Sequence, residues 1–421
     1  MRHLALLGLI LLLLLSSAPV AAENEIGVIA SGVEVDFPGR ALFTLEAESN
    51  AEIVNARLHY TVHKMNYAEV VSEGWAEFTP GNRIEASWLW DMRRGSLPPG
   101  AEVTYWWVVD DVAGNRLETS PGVMRFHDDR FVWRSLSIAT PGDGELTLFW
   151  YQGGDSFAQE LLSVCEEGLE RLIAETGAYP ERPIEVYVYA SAGDLHGGMI
   201  FPQEWTGGVA FTEFSTIAIG ISPSRLAWGK RALVHELTHL VVHQVTFSPY
   251  GQLPTWLDEG LAMYNEGELE SHFESRLQRA IREGTLISVR SLCSPFSADS
   301  DTAYLSYAQS YSLVEYLLDS YGQDRMLELL NLFKEGSTYD AALYEVYGFD
   351  IDSLDAQWRA GLTSRSFTAS SLPAAVPRQG VWGAHPLLVV LLATLFLWAA
   401  LALRRRMRRS APGTSVGEDE L

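Results

Sequence analysis

Two histidines four residues apart, with a glutamate after the first, are the residues of this chain best suited to chemistry. They lie in the pentad His235-Glu236-Leu237-Thr238-His239. On a helix, residues four apart stand one above the other, so both imidazoles can bind the same ion. Glu236 can then reach a water molecule on that ion and take its proton as a general base. The pentad therefore predicts a zinc site that activates water.

The residues around the pentad predict a buried helix at about 226–245. Apolar side chains lie on both sides of the pentad, among them Leu233, Leu240 and Val241. A buried helix holds metal ligands in place and keeps the site dry. The sequence therefore predicts a rigid, water-poor environment for the two histidines.

The third ligand is predicted in the segment Trp256–Ala262, which follows Pro254 on what should be the next helix. Two histidines need one more protein ligand if a tetrahedral zinc is to keep one position open for water. Glu259 is separated from His239 by a single loop. An antiparallel return of the chain can therefore bring its carboxylate to the ion.

Three other residues are weaker candidates for the metal. Asp258 is the alternative to Glu259 as third ligand. His243 continues the spacing of four, but successive steps of four drift around a helix. His196 precedes two glycines, and a histidine in such a position is more typical of a loop than of a ligand set.

From about residue 156 to 360, the chain resembles the gluzincin metallopeptidases, especially the membrane-anchored peptidase MA-like proteins. The resemblance depends on the HELTH and WLDEGLA segments together. It implies a zincin-like, thermolysin-type α+β fold and a peptidase that holds one Zn²⁺ with His235, His239 and Glu259. Where the thermolysin pattern has an aspartate four residues after the ligand glutamate, this chain has Met263. The hydrogen-bond partner of His235 is therefore not identified, although metal-binding histidines usually have one.

The same resemblance implies a tyrosine that stabilises the oxyanion. In gluzincin aminopeptidases this tyrosine lies on a downstream helix, and the segment Tyr307–Leu313 is similar. The resemblance thus implies Tyr307 in this role, with Tyr311 as the alternative. The other interpretation is aromatic packing in the core, which we expect of neighbouring tyrosines such as Tyr304.

The pattern from 134 to 362 predicts an α+β domain, because strands are followed by a series of helices. Strands are expected at 184–189 and 216–221, and helices at 156–176, 226–245, 254–265, 271–283, 304–320 and 324–334. An edge strand at 206–210 or 216–221 could pair with an extended peptide.

Residues 23–133 predict an all-β domain, because short strands alternate with turn signals. A Pro-Pro-Gly break at 98–100 precedes an aromatic strand at 103–110, and a turn follows at 111–115. This order resembles immunoglobulin-like and fibronectin-like modules, which implies a β-sandwich. The segment has no cluster of catalytic residue types, so we expect it to be a spacer or a docking module.

Both ends of the chain predict targeting to a membrane. Residues 1–22 have the layout of a secretory signal peptide, with an uncleaved anchor as the alternative. Residues 384–403 are mostly apolar, with no charged residue from 387 to 403, and are long enough to span a bilayer. The arginines that follow predict a cytoplasmic tail at 404–421. Residues 363–383, rich in Ser, Ala and Pro, predict a stalk. The folded domains are therefore expected to be extracytoplasmic at the cell membrane.

The composition excludes some partners. A net charge of −24 is unfavourable for nucleic-acid binding, which depends on a basic surface. Two cysteines, Cys165 and Cys293, cannot form a disulfide framework. One bridge between them is possible, but Cys165 lies in a helical pattern where a free buried thiol packs well.

Together these features predict a membrane-anchored, extracytoplasmic zinc peptidase that acts on peptide or protein substrates. One alternative is a non-catalytic surface or adhesion protein with a metal-stabilised domain. Another is a zinc hydrolase of a non-peptide bond. The open fourth position on the metal favours an enzyme, because structural zinc is usually closed by four protein ligands.

Overall fold

The computed structural model describes residues 26–95, 97–142, 144–200 and 207–369. The predicted signal peptide at 1–22, membrane span at 384–403 and tail at 404–421 lie outside these residues. Among the helices that are described, none has the length and apolar character needed to cross a bilayer.

Among the described residues, seven antiparallel strands form the N-terminal domain: β1 (Gly27–Asp36), β2 (Arg40–Val62), β3 (Ser72–Trp75), β4 (Gly81–Asp91), β5 (Glu102–Asp111), β6 (Arg116–Glu118) and β7 (Gly122–Arg125). The first half of β2 pairs with β1 and β4, and its second half pairs with β3 and β5. Side chains alternate along β2, so that Phe43, Leu45 and Leu58 enter one apolar core.

The all-β prediction for residues 23–133 is confirmed, but the described strands do not form the two separate sheets of an immunoglobulin-like sandwich. They belong to one sheet, because β2 runs through both halves. Residues 40–62 contain neither glycine nor proline to end the strand. The chain instead continues through an irregularity between Glu48 and Ile53, where the pairing shifts.

A second sheet belongs to the following domain. Its strands are β8 (Arg134–Thr140), β9 (Gly144–Trp150), β10 (Ile184–Tyr189), β11 (Gly208–Phe211) and β12 (Thr216–Gly220), in the spatial order β11-β12-β10-β9-β8. The three inner strands are parallel, and β8 and β11 pair antiparallel at the two edges. Within the described residues, β11 is therefore an edge strand.

In the part of the chain that the structure describes, ten α-helices complete this domain: α1 (Asp155–Thr176), α2 (Ala192–Gly197), α3 (Leu226–Val245), α4 (Thr255–Asn265), α5 (Ser271–Glu283), α6 (Val289–Leu292), α7 (Ser300–Tyr321), α8 (Gln323–Lys334), α9 (Tyr339–Tyr347) and α10 (Ile351–Ala369). The α+β prediction is confirmed. Helix α7 begins before the predicted residue 304 because Asp299 caps it, accepting a hydrogen bond from the Thr302 amide. Helix α10 extends to Ala369, so the first residues of the predicted stalk are helical.

The core of the second domain lies between the sheet and the helices. Ile184, Val186 and Val188 of β10 face this core together with the apolar residues of α1 and α3. Helix α4 packs very closely on α7, since a Cβ on Gly260 would lie 2.5 Å from the Ser310 carbonyl oxygen. Cys165 is buried in α1 and carries a free thiol, as expected, and Cys293 is also free.

Candidate metal centre

Three predicted ligands from two neighbouring helices meet at one point. Helix α3 supplies His235 and His239, whose Nε2 atoms are 3.0 Å apart. Helix α4 supplies Glu259, whose Oε2 atom lies 3.5 Å from His235 Nε2 and 3.6 Å from His239 Nε2. The loop between the two helices thus returns the chain as the sequence predicted, and all three side chains are almost fully buried.

The donor set fits zinc. Bonds of about 2.1 Å in a tetrahedral arrangement separate neighbouring ligand atoms by about 3.4 Å, close to the observed separations. Oε2 of Glu259 is buried and makes no hydrogen bond among the described residues. An unsatisfied buried carboxylate oxygen is costly, and a cation at this point would compensate it. Two imidazoles and one carboxylate form the usual three-ligand set of a catalytic zinc site.

The outer nitrogen of His235, Nδ1, faces away from the other predicted ligands. It contacts a carboxylate that the sequence analysis did not identify. His235 Nδ1 lies 2.7 Å from Glu266 Oε1, and the other oxygen of Glu266 lies 3.1 Å from an Arg231 guanidinium nitrogen. Such contacts fix the ring orientation and raise the basicity of a metal ligand. Glu266 is at the C-terminal end of α4, beyond Met263. The thermolysin pattern expects the carboxylate at the position of Met263, so a search for that pattern does not find Glu266.

The outer nitrogen of His239 has its own carboxylate partner. His239 Nδ1 lies 2.9 Å from Asp258 Oδ1, and Asp258 Oδ2 lies 3.1 Å from His243 Nε2. Asp258 is thus directed at the outer side of the ring, whereas Glu259 faces Nε2. This arrangement favours Glu259 over Asp258 as third ligand. The side chains of His239, His243 and Asp258 also lie close enough together to form a second potential ligand group. The hydrogen bonds of Asp258 to the two histidines account for this proximity.

His196 is on the short helix α2 and joins neither of the potential ligand groups found in the described part of the chain. The expectation of a loop at this histidine is therefore wrong.

Glu236 lies between α3 and the edge strand β11. Its Oε1 atom is buried without a hydrogen-bond partner among the described residues. Its Cγ atom would lie 3.4 Å from a Cβ on Gly208, and the Ala210 amide is close enough to lower the pKa of the carboxyl. Burial outweighs this effect and raises the pKa of Glu236 above its ordinary value. A buried carboxylate of raised pKa is a stronger base at neutral pH.

The ligand side chains carry strongly shifted pKa values in the protein alone. Burial opposes protonation of His235, but its contacts with Glu259 and Glu266 raise its pKa to about 9. Burial also disfavours the charged form of His239, yet Asp258 and Glu259 raise its pKa well above the ordinary value. Burial disfavours the charged form of Glu259, but the two histidines lower its pKa. The site therefore holds groups of opposite charge close together, and a bound divalent cation would change their protonation.

The two candidate tyrosines differ in their surroundings. Tyr307 is buried on α7 and lines a small cavity that also contains His235, together with Met263 and Phe273. Tyr311 packs instead against Tyr264, with ring centroids 5.7 Å apart, and does not line this cavity. The structure therefore places Tyr307, rather than Tyr311, in a cavity beside His235 that Glu266 and Arg231 also line.

The family model described as the Peptidase MA superfamily matches residues 164–364. No curated protein matches the chain. Three solved structures show weak likenesses. An M1 zinc metallopeptidase from Deinococcus radiodurans is 13% identical over 78% of this chain and 91% of that chain, with a TM-score of 0.35.

Catalytically inactive OgpA from Akkermansia muciniphila, in complex with an O-glycopeptide, is 15% identical over 26% of this chain and 30% of that chain, with a TM-score of 0.19. A β-1,3-glucan-binding domain of carbohydrate-binding module family 56 is 17% identical over 24% of this chain and 99% of that chain, with a TM-score of 0.15. These TM-scores are too low to assign a fold or a function. The family match agrees with the resemblance drawn from the sequence: residues 164–364, which carry the candidate metal centre, match the model of the peptidase MA superfamily.

Proposed function

We propose that this protein is a zinc-dependent peptidase, held at the cell membrane with both folded domains outside the cytoplasm. The convergence of His235, His239 and Glu259, with the two histidines on the helix that also carries Glu236 and its Oε1 atom, buried and unpartnered among the described residues, is the observation that carries the enzymatic part. The membrane placement is supported by the sequence of the two chain ends alone.

His235, His239 and Glu259 would hold the ion, with Glu266 and Asp258 fixing the two rings from their outer nitrogens. Zinc bound there would supply a water of lowered pKa and polarise a carbonyl group. Glu236 would accept the proton of that water and pass it to the leaving amine. We assign to Tyr307 the hydrogen bond that stabilises the oxyanion.

Strand β11 would bind the substrate backbone. The Gly220 amide donates to the Gly207 carbonyl, and residues of an antiparallel pair alternate in direction. Gly208 and Ala210 therefore direct their backbone groups away from β12. An extended peptide could pair with this edge and place a peptide bond beside Glu236. This supports a peptide substrate over a non-peptide one.

A purely structural metal site is a weaker candidate. Closing a tetrahedral zinc requires a fourth protein ligand. In the described part of the chain, Asp258 contacts the outer nitrogen of His239 and Nε2 of His243 instead, and Glu266 contacts the outer nitrogen of His235. The fourth position is thus left for water or substrate, which supports an enzyme.

The test is the Glu236→Gln variant of the full chain, with the exposed Glu166→Gln as the matched control. The variant should keep about one zinc per chain, measured by elemental analysis, because Glu236 is not a ligand. Hydrolysis of a peptide library should fall by about 10²–10⁴-fold, the usual contribution of a general base. The control should retain full activity. Unchanged hydrolysis in Glu236→Gln would refute the assigned base, and turnover of only non-peptide esters would refute the substrate class.

A further inference from the structure

The N-terminal β-domain contacts the turn that follows the edge strand β11. This turn, Thr212–Phe214, is a single turn of 3-10 helix between β11 and β12. The Phe214 side chain leaves its own domain and packs on the apolar core of the N-terminal sheet. An apolar residue that packs against another domain's core couples the positions of the two domains.

Two hydrogen bonds from the loop after β2 hold the same turn. The Met65 amide donates to the Glu213 carbonyl oxygen at 2.7 Å. Lys64 Nζ lies 2.6 Å from Glu213 Oε2, but both side chains are partly exposed, so this ion pair contributes little. The backbone bond and the Phe214 contact are therefore the principal attachments.

The opposite side of the turn is attached to the metal-binding helix. Ser215 adopts a left-handed conformation with φ of 54°, and its Oγ accepts a buried hydrogen bond of 3.0 Å from Gln244 Nε2 on α3. Beyond the end of α3, the Phe247 ring stacks on Tyr67 of the N-terminal domain, with centroids 4.3 Å apart and planes 11° apart. The N-terminal domain thus contacts both the β11–β12 turn and the end of the helix that carries the histidines.

The position of β11 matters because there is little free space beside it. Glu236 lies close to Gly208 and Ala210, as described above. A small movement of β11 relative to α3 would change the gap in which an extended substrate has to fit. Such a movement would not alter the ligand triangle, which is formed by α3 and α4 alone.

We infer that the N-terminal domain is a positioning element of the active site, which fixes strand β11 through Phe214 and the loop residue Met65 and contacts the end of α3 through Tyr67. The expected effect on kinetics rests on the proposed peptidase function. The expected attachment of β11 to the N-terminal domain does not depend on that function. This inference replaces the expectation of a spacer or docking module. Phe214 is a positioning residue, since it touches neither the ligands nor Glu236.

The test uses the full chain with Phe214→Ala, the conservative Phe214→Leu, and Tyr67→Ala. The matched control is Trp75→Ala, an exposed aromatic residue of the same domain that is 67% exposed. Hydrogen exchange of the amides in 208–216 should accelerate by about tenfold or more in Phe214→Ala, because local opening becomes easier. Exchange in α7 should stay unchanged. Phe214→Leu should restore most of the protection, and Trp75→Ala should have no effect.

In peptide hydrolysis, Phe214→Ala and Tyr67→Ala should raise KM by about three- to tenfold, with kcat within about twofold and zinc content unchanged. Unchanged exchange in 208–216 would overturn the inference, and so would an unchanged KM in a variant whose exchange has accelerated. If Phe214→Ala fails to fold, the exposed Tyr67→Ala decides in its place. If the wild-type chain hydrolyses no peptide, the proposed function fails, and the exchange data alone decide whether the N-terminal domain fixes β11.

Discussion

His239 lies between two consecutive carboxylates: Asp258 contacts its Nδ1 at 2.9 Å, and Glu259 lies 3.6 Å from its Nε2. Adjacent residues on a helix point in different directions, so one carboxylate can reach each side of the ring. In the proposed zinc site, Asp258 would thus orient the ring and Glu259 would bind the metal.

This division predicts different effects for two similar substitutions. Glu259→Gln should abolish stoichiometric zinc binding, because it removes a charged ligand from a three-ligand site. Asp258→Asn should weaken zinc binding by about 10–100-fold, as is usual for partners of metal-binding histidines. Competition with a fluorescent chelator would measure both affinities. Equal losses in the two variants would contradict the assignment.

Glu266 should matter for the same reason on the other histidine. Glu266→Gln keeps the shape of the side chain but removes the charge at His235 Nδ1, so zinc affinity should fall by about 10–100-fold. Glu270→Gln is the matched control. Glu270 lies 3.5 Å from the same Arg231, but its contact is not with a predicted ligand. A comparable loss in both variants would indicate that the Arg231 ion pairs, rather than the histidine contact, are responsible.

Zinc binding should depend on pH. Contacts with carboxylates raise the pKa of His235 to about 9 and also raise that of His239, so the metal-free site binds protons more tightly than free imidazole does. A metal requires neutral imidazoles, so zinc affinity should rise between pH 7 and 9, and binding at pH 7 should release protons. Calorimetry in buffers of different ionisation enthalpy would detect the release. The same apparent enthalpy in every buffer would contradict it.

The metal-free protein should show the opposite trend in stability. The folded-state pKa of His235 is above the ordinary 6.5, so its contribution is fully present below pH 6.5 and is lost as the pH rises through about 9. The Tm of metal-free protein should therefore fall over this interval, and saturating zinc should remove the trend. Thermal denaturation with and without a chelator would show it.

Tyr307 and Tyr311 should differ in catalysis. Tyr307→Phe removes the proposed oxyanion donor, and kcat should fall by about 10²–10³-fold with little change in zinc content. Tyr311→Phe should leave kcat nearly unchanged, because Tyr311 packs against Tyr264 outside the cavity that contains His235. Steady-state kinetics on one good peptide would separate the two. Equal activity of the variants would remove Tyr307 from the mechanism.

Local patterns in the sequence were sufficient for much of the site. The spacing of His235 and His239 predicts a shared helix face, and the apolar residues around them predict its burial. Glu259 could be proposed because a single loop limits where the next helix can lie. These features depend on helix periodicity and short connections, which act over a few residues or one turn of the chain.

The partners of the two histidines required the tertiary structure. Glu266 faces His235 because of the angle and register at which α4 packs on α3, and no spacing rule in the sequence fixes these. The same holds for the N-terminal domain. Its strands are recognisable from alternating residues, but the single sheet through β2 depends on which long-range pairings form.

The sequence by itself determined which residues can bind a metal and activate water, because side-chain chemistry and helix periodicity are local properties. The tertiary structure decided which carboxylate faces which nitrogen and that Phe214 joins the edge strand to the N-terminal domain. Those contacts arise from packing between segments far apart in the chain, whose geometry depends on the whole fold.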